Sequence, residues 1–388
     1  LGFVSIAILK RFIQFVLFNA LTLSISFIIF LCLAILLVML LVYMDIFIKK
    51  NLFFSNKKRP LIIAEISGNH NGKFNNFKKG VLSASKNGAD LVKIQTYEAS
   101  DIVLKNINYK IKKGLWSNKN LWNLYQAAQT PFSWHKDIFD MAKKNKITLF
   151  SSPFSTRGVE LLEKLNVPIY KIASFEITDI KLIRCVASTK KPLIISTGCC
   201  TFRELEIAIK EINKFHNKII IMHCESGYPT EIKDSKINKI TFLKSKFNKN
   251  LIGLSDHTRG IASSLAATAL NAVCIEKHYN YKDIKTVDSE FSIGPDELRH
   301  LRKFSEEIFE SINSKVDFLN EKKNSDFKRS IYVIKNILKG ERFSEKNIST
   351  FRPKIGVCAS NFFKIIGKKS TKNLQENKPL YSNDISKS

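Results

Sequence analysis

From Pro60 onward the chain repeats one device. Short apolar runs recur at Leu61–Ile66, Leu91–Ile94, Ile147–Phe150, Pro168–Ile172, Leu193–Ser196, Ile219–Met222, Leu251–Leu254 and Ala272–Ile275. Between most of them lies an amphipathic stretch, such as Phe74–Asn87, Ser133–Asn145, Arg157–Leu165, Asp179–Thr189, Phe202–Phe215 and Ser235–Phe247. An apolar run without alternation suits a strand buried on both faces, and parallel sheets are built from such strands. Eight repeats of this kind favour a closed (β/α)8 barrel, a TIM barrel, over an open sheet.

In such a barrel the chemistry sits at the C-terminal ends of the strands. Here those ends carry Glu65, Lys93, Gln95, Ser152, Lys171, Ser174, Glu176, Ser196, Glu225, Tyr228, Ser255 and Glu276. A purely structural barrel has no need of polar groups at every strand end. Two lysines with several hydroxyls suit a phosphate, charge coming from Lys and hydrogen bonds from Ser. The last two runs end near His257 and His278. A helix-forming Ala/Leu-rich segment separates them, so their strands are expected to be parallel neighbours. Both imidazoles would then face one small volume, and imidazole suits manganese, zinc and iron. Asp256 and Glu276, beside them in sequence, are expected to orient or supplement them.

The formal net charge of +28 raises the question of nucleic acid. The lysines are scattered, and no nucleic-acid-binding motif accompanies them, so no nucleic-acid partner is expected. Seven cysteines without a C-x-x-C pair suit a reduced, cytoplasmic compartment.

Phe12 to Met44 contains no charged residue and is long enough to span a bilayer. It is either a membrane anchor or upstream sequence preceding the true start; the second is favoured, since the first Met, Met39, lies inside it. As an anchor it would leave the rest cytoplasmic, because Lys49, Lys50, Lys57, Lys58 and Arg59 follow it. The expected division is a hydrophobic segment over 1–50, a barrel over 58–318, a linker over 319–328 and a small β-rich domain over 329–388. The connection from Glu98 to Thr130, with Trp116, Trp122 and Tyr125, is expected to form a lid or substrate wall.

The segments AEISGNHNG, VKIQT, FSSPFS, YKIASFE, IISTG, GLSDHT and EKHYN, in this order, resemble the sialic acid synthase family. Its members condense phosphoenolpyruvate with an amino-sugar aldehyde. The likeness runs from about Pro60 to Ile385, and the tail resembles the family's antifreeze-like (SAF) domain. Three features look most like the branch that makes pseudaminic acid: LWNLYQAAQTPFSWH, SSPFS with YKIASFEITDIKLI, and Ser67. Neuraminate- and legionaminate-forming members are the alternatives. A membrane-tethered, non-catalytic sugar-binding protein is the rival from another class.

The resemblance implies roles. His257 and His278 would hold a divalent metal, manganese first, with magnesium or cobalt as alternatives. Glu65 and Glu176, with the two histidines, would be catalytic. Lys93, Ser152, Lys171, Ser174, Ser196 and Ser255 would hold phosphoenolpyruvate. Gln95, Tyr228, Glu276 and Asp288 would face the sugar. Arg352 would reach the sugar's acetamido group in a partner subunit's site, which implies a homodimer with exchanged tails. Two positions depart from the family pattern. Ser226 stands where neuraminate-forming members tend to have Asn, and the tail reads Arg-Pro-Lys-Ile-Gly where Arg-Pro-Gly is usual.

Overall fold

A computed structural model describes residues 45–282, 284–314 and 324–386. They form two compact units that divide after Asn313, and each is described by itself.

The first unit opens with an antiparallel hairpin of β1 (Ile46–Lys49) and β2 (Leu52–Phe54). Eight parallel strands follow: β3 (Leu61–Glu65), β4 (Leu91–Thr96), β5 (Leu149–Pro153), β6 (Tyr170–Ile172), β7 (Leu193–Ser196), β8 (Ile219–Cys224), β9 (Leu251–Asp256) and β10 (Cys274–His278). They close into a barrel in the order β10-β3-β4-β5-β6-β7-β8-β9. Closure is made where β10 pairs with β3, from Cys274 opposite Leu61 to His278 opposite Glu65. Apart from the half-buried Gln95, every residue of these eight strands is buried, as unbroken apolar runs require.

The helices between the strands follow the expected stretches closely. Phe202–Asn213 begins with a capping box between Thr201 and Glu204 and buries Leu205, Ala208, Ile209 and Ile212. That spacing of three and four residues places one apolar stripe against the barrel. Ser155 caps Thr156–Lys164 in the same manner, its hydroxyl accepting from the Gly158 amide. The long β4–β5 connection contains three helices, Ala99–Ile102, Leu121–Ala128 and Phe132–Lys144, the first two within the stretch from Glu98 to Thr130. The closing helix is Pro295–Asn313.

The hairpin departs from expectation. Residues 45–50 were assigned to the hydrophobic N-terminal segment, yet Ile46 and Phe54 are buried in one cluster with Leu61, Leu91 and Phe150. Lys49 also donates to Thr148 Oγ1 at 2.7 Å, just before β5. The hairpin therefore packs against the N-terminal ends of the strands, opposite the end expected to carry chemistry. The apolar segment from Phe12 to Met44 lies outside the described residues. Among the described residues, no helix is long and apolar enough to cross a membrane.

The second unit pairs β11 (Ser330–Val333) with β12 (Ile348–Phe351) in antiparallel register. It has a core of its own: Ile331, Val333, Ile337, Phe343, Ile348, Ile365, Leu374 and Leu380.

Candidate active site

Strand register decides which side chains enter the barrel. Side chains alternate along a strand, and residues paired in parallel register share a face. Glu65 is paired with Lys93 on one side and His278 on the other. Gln95 pairs with Ser152, Ser196 with Met222, Cys224 with Ser255, and Ser255 with Glu276. These groups converge at the C-terminal mouth.

Two lysines and two carboxylates form its floor. Lys93 and Lys171 are each only 3% exposed. Lys93 pairs with Glu65, lies 3.7 Å from Glu276 Oε1 and donates to Ser152 Oγ at 3.4 Å. Lys171 reaches Glu276 Oε1 at 2.5 Å and Ser255 Oγ at 3.2 Å. Gln95 holds the other Glu65 oxygen at 3.1 Å. The two carboxyls are pushed apart in acidity. Burial raises both, but Lys171 and Lys93 together hold Glu276 below the ordinary range, whereas Glu65 ends above it. On the turn after β6, burial pushes the Glu176 carboxyl up to about 7.

Beside the lysines is a cluster of small polar groups. Gly198 N–H donates to Ser174 Oγ at 3.2 Å, and Ser174 Oγ donates to Cys224 Sγ at 3.4 Å. A methyl group on Gly198 would lie 2.1 Å from Ser226 Oγ and 2.7 Å from Ser174 Oγ, so a larger residue would displace these hydroxyls. The buried hydroxyls of Ser196 and Ser226 have no hydrogen-bond partner. Unpaired buried hydroxyls beside two ammonium groups suit an anionic ligand.

The histidine rings meet across the β9–β10 seam, with centroids 5.3 Å apart. His257 Nδ1 is 3.0 Å from the Glu225 carbonyl, which leaves Nε2 for the interior. Nδ1 of His278 has no hydrogen-bond partner, and Asp288 Oδ2 lies 3.8 Å from it. Burial and the neighbouring cationic groups hold the His278 ring well below its usual pKa, hence neutral. A neutral, unpartnered imidazole beside a second one fits a divalent cation. Among the described residues, no cluster of three or more His, Cys, Asp or Glu side chains is arranged to hold a metal.

Aromatic rings wall this seat. Tyr228 packs on His257 at 4.3 Å, Phe291 on His278 at 4.8 Å and Trp116 on Tyr228 at 5.3 Å, all between centroids. Trp116 Nε1 donates to the Val287 carbonyl at 2.9 Å, tying the long connection to the segment after β10.

Comparison with known proteins decides the family. Residues 81–317 match the NeuB family model and residues 328–386 match the SAF domain. The chain is 40% identical to the pseudaminic acid synthase of Helicobacter pylori, over 85% of this chain and 98% of that one. The chain belongs to the NeuB family. It is also 36% identical to the N,N'-diacetyllegionaminic acid synthase of Campylobacter jejuni, over 82% of this chain and 98% of the other. Among solved structures it resembles the N-acetylneuraminic acid synthetase of Leptospira borgpetersenii. That match has a TM-score of 0.64 and 29% identity and covers 70% of this chain and 92% of the other. The NeuB family works with a divalent metal.

Within this NeuB-family chain, two expectations about the histidines are corrected. Asp256 does not face the rings. It follows Ser255 by one position and so points out of the barrel, where it accepts from Ser264 Oγ at 2.6 Å and pairs with Lys277 at 3.1 Å. Glu276 faces inward but is engaged by the lysines. The carboxylate beside His278 is instead that of Asp288, which also accepts from the Gly68 amide at 3.2 Å. Arg352 is exposed at the end of β12 in the second unit. Cys224 and Phe291 are site residues that sequence reasoning missed. Strand parity from Ser196 through Met222 was the signal available for Cys224; nothing local marked Phe291.

Proposed function

We propose that this chain condenses phosphoenolpyruvate with 2,4-diacetamido-2,4,6-trideoxy-L-altrose, giving pseudaminic acid and phosphate. The observation that carries the reading is the meeting of His257 and His278 at 5.3 Å, in the same barrel mouth as Lys93 and Lys171. The pseudaminic acid synthases at 40% identity support the choice of sugar. The legionaminic acid synthase at 36% keeps that sugar as the second reading.

Lys93 and Lys171, with Ser152, Ser174, Ser196 and Ser255, take the phosphate and carboxylate of phosphoenolpyruvate. The incoming anion competes with Glu276 for both ammonium groups, so the lysines are held ready without being exposed to water. Gln95, Tyr228, Glu276 and Asp288 face the sugar. His257 and His278 would hold the divalent cation, manganese by preference, and when bound it supplies Lewis-acid polarisation of the sugar's C1 aldehyde. C3 of phosphoenolpyruvate attacks that carbon, and positive charge develops at C2. Glu65 and Glu176 stabilise that charge from fixed positions. Water adds at C2, Glu65 takes its proton, and the tetrahedral carbon expels phosphate with C–O cleavage. In the proposed homodimer, Arg352 of one subunit reads the acetamido group at the other subunit's site. The catalysis is placed in the cytoplasm, where phosphoenolpyruvate is made.

The test offers purified protein phosphoenolpyruvate with the altrose sugar, its legionaminate counterpart and N-acetylmannosamine. Phosphate release with the altrose sugar, and a product of the condensed mass, supports the reading. Turnover of only one of the other sugars replaces it.

A further inference from the structure

Behind the two histidines, on the outer face of the same strands, lies a second charged pair with no place in the chemistry above. Asp256 on β9 and Lys277 on β10 are register partners. Their side chains are 1% and 0% exposed, and Nζ lies 3.1 Å from Oδ2. Both point away from the barrel interior, because each is flanked by inward residues: Ser255 and His257, Glu276 and His278.

A buried ion pair is a poor device for stability, since apolar residues of similar volume serve as well or better. Besides the bond from Ser264 Oγ, the contacts of this one go to a single turn. Asp256 Oδ1 accepts from Thr258 N and from Thr258 Oγ1, each at 2.8 Å. Lys277 Nζ donates to the Thr258 carbonyl. Every polar group of Thr258 is thus held by the pair. Next to that turn, the Thr230 amide donates to the His257 carbonyl at 3.0 Å. The chain is thus held immediately after the His257 ring, at its own carbonyl and at Thr258. The clamp's cation is the residue next to His278, so one interaction spans the seam that both rings straddle.

We infer that Asp256 and Lys277 are positioning residues for the His257–His278 cation seat, acting through Thr258 from outside the barrel. This rests on the reading of those histidines as the metal seat. The pair fixes the separation of the rings, and loosening it weakens cation binding while leaving the phosphoenolpyruvate floor of Lys93 and Lys171 in place.

The test measures Mn2+ binding to the full chain by calorimetry, beside thermal unfolding and the KM for phosphoenolpyruvate. D256N/K277M removes both charges together, avoiding an orphaned buried ion. It is expected to bind Mn2+ about 10-fold more weakly, the scale on which outer-sphere partners act. Its KM for phosphoenolpyruvate is expected to stay at the parent value. Thr258→Val, nearly isosteric, removes one bond to Asp256 and is expected to weaken Mn2+ binding by a smaller factor in a protein that folds. Parent-like Mn2+ affinity in both variants overturns the inference, as does a KM for phosphoenolpyruvate that rises in step with the Mn2+ constant. His278→Ala separates the two readings: if it binds Mn2+ like the parent, the seat itself is misplaced, whatever the pair does.

Discussion

Removing Lys171 tests how the floor of the site balances stability against readiness for an anion. In Lys171→Met the partner Glu276 keeps its carboxylate but loses the ammonium at 2.5 Å, retaining Lys93 at 3.7 Å and the Ser255 hydroxyl at 3.2 Å. With an effective dielectric of about 20, the two ionic attractions are about 7 and about 4.5 kcal/mol before desolvation. Breaking a buried pair by removing one partner costs roughly 3–5 kcal/mol. Since Lys93 remains, the expected cost lies at the lower end, about 3 kcal/mol, or a fall of roughly 4 °C in Tm for a chain of this size. A second change, Glu276→Gln, removes the orphaned charge and is expected to restore most of that Tm. It cannot restore phosphoenolpyruvate binding, because the missing group is the cation that meets the anion. The KM for phosphoenolpyruvate is expected to rise about 10- to 100-fold in both the single and the double variant, the worth of one charged hydrogen bond. Calorimetry and steady-state kinetics on the same preparations give both numbers. An unchanged KM, or a double variant no more stable than the single one, refutes this account of the floor.

Other expectations follow from the same geometry. Glu176 has its folded pKa raised from 4.5 to about 7, so its proton is held more tightly in the folded chain than in the unfolded one. Its contribution to stability is therefore complete below about 4.5 and declines as pH rises through about 7. Tm profiles of Glu176→Gln should lack that decline; a profile parallel to the parent's contradicts it. A chain begun at Asn51 loses β1 and with it the burial of Ile46, and should unfold about 2 kcal/mol more easily than one begun at Asp45. Equal urea midpoints for the two would show the hairpin to be dispensable. Arg352→Ala should raise the KM for the amino sugar without changing that for phosphoenolpyruvate, and equal sugar constants would remove Arg352 from the site.

The barrel was legible because its strands are buried on both faces. Runs such as Ile219–Met222 and Leu193–Ser196 have no polar alternation, and little but a covered parallel sheet accepts them. The hairpin was not legible. Ile46 to Ile48 follow the apolar stretch with only Asp45 between, and a short strand that caps a barrel carries no periodic pattern of its own. Within the site, most inward groups could be read from strand ends, but Asp256 was misread by proximity. Strand parity, which places Asp256 outside if Ser255 and His257 are inside, overrides nearness in sequence. Asp288 had no such local mark; it comes from the segment after β10, and only tertiary folding brings it to within 3.8 Å of His278.

The most direct measurement is sugar-dependent phosphate release from phosphoenolpyruvate by protein stripped of metal, then resupplied with Mn2+, beside His278→Ala treated alike. The account predicts no release from the stripped protein, recovery on adding Mn2+, and none from the folded His278→Ala variant under either condition. Undiminished release from thoroughly stripped protein, or from His278→Ala, would contradict it.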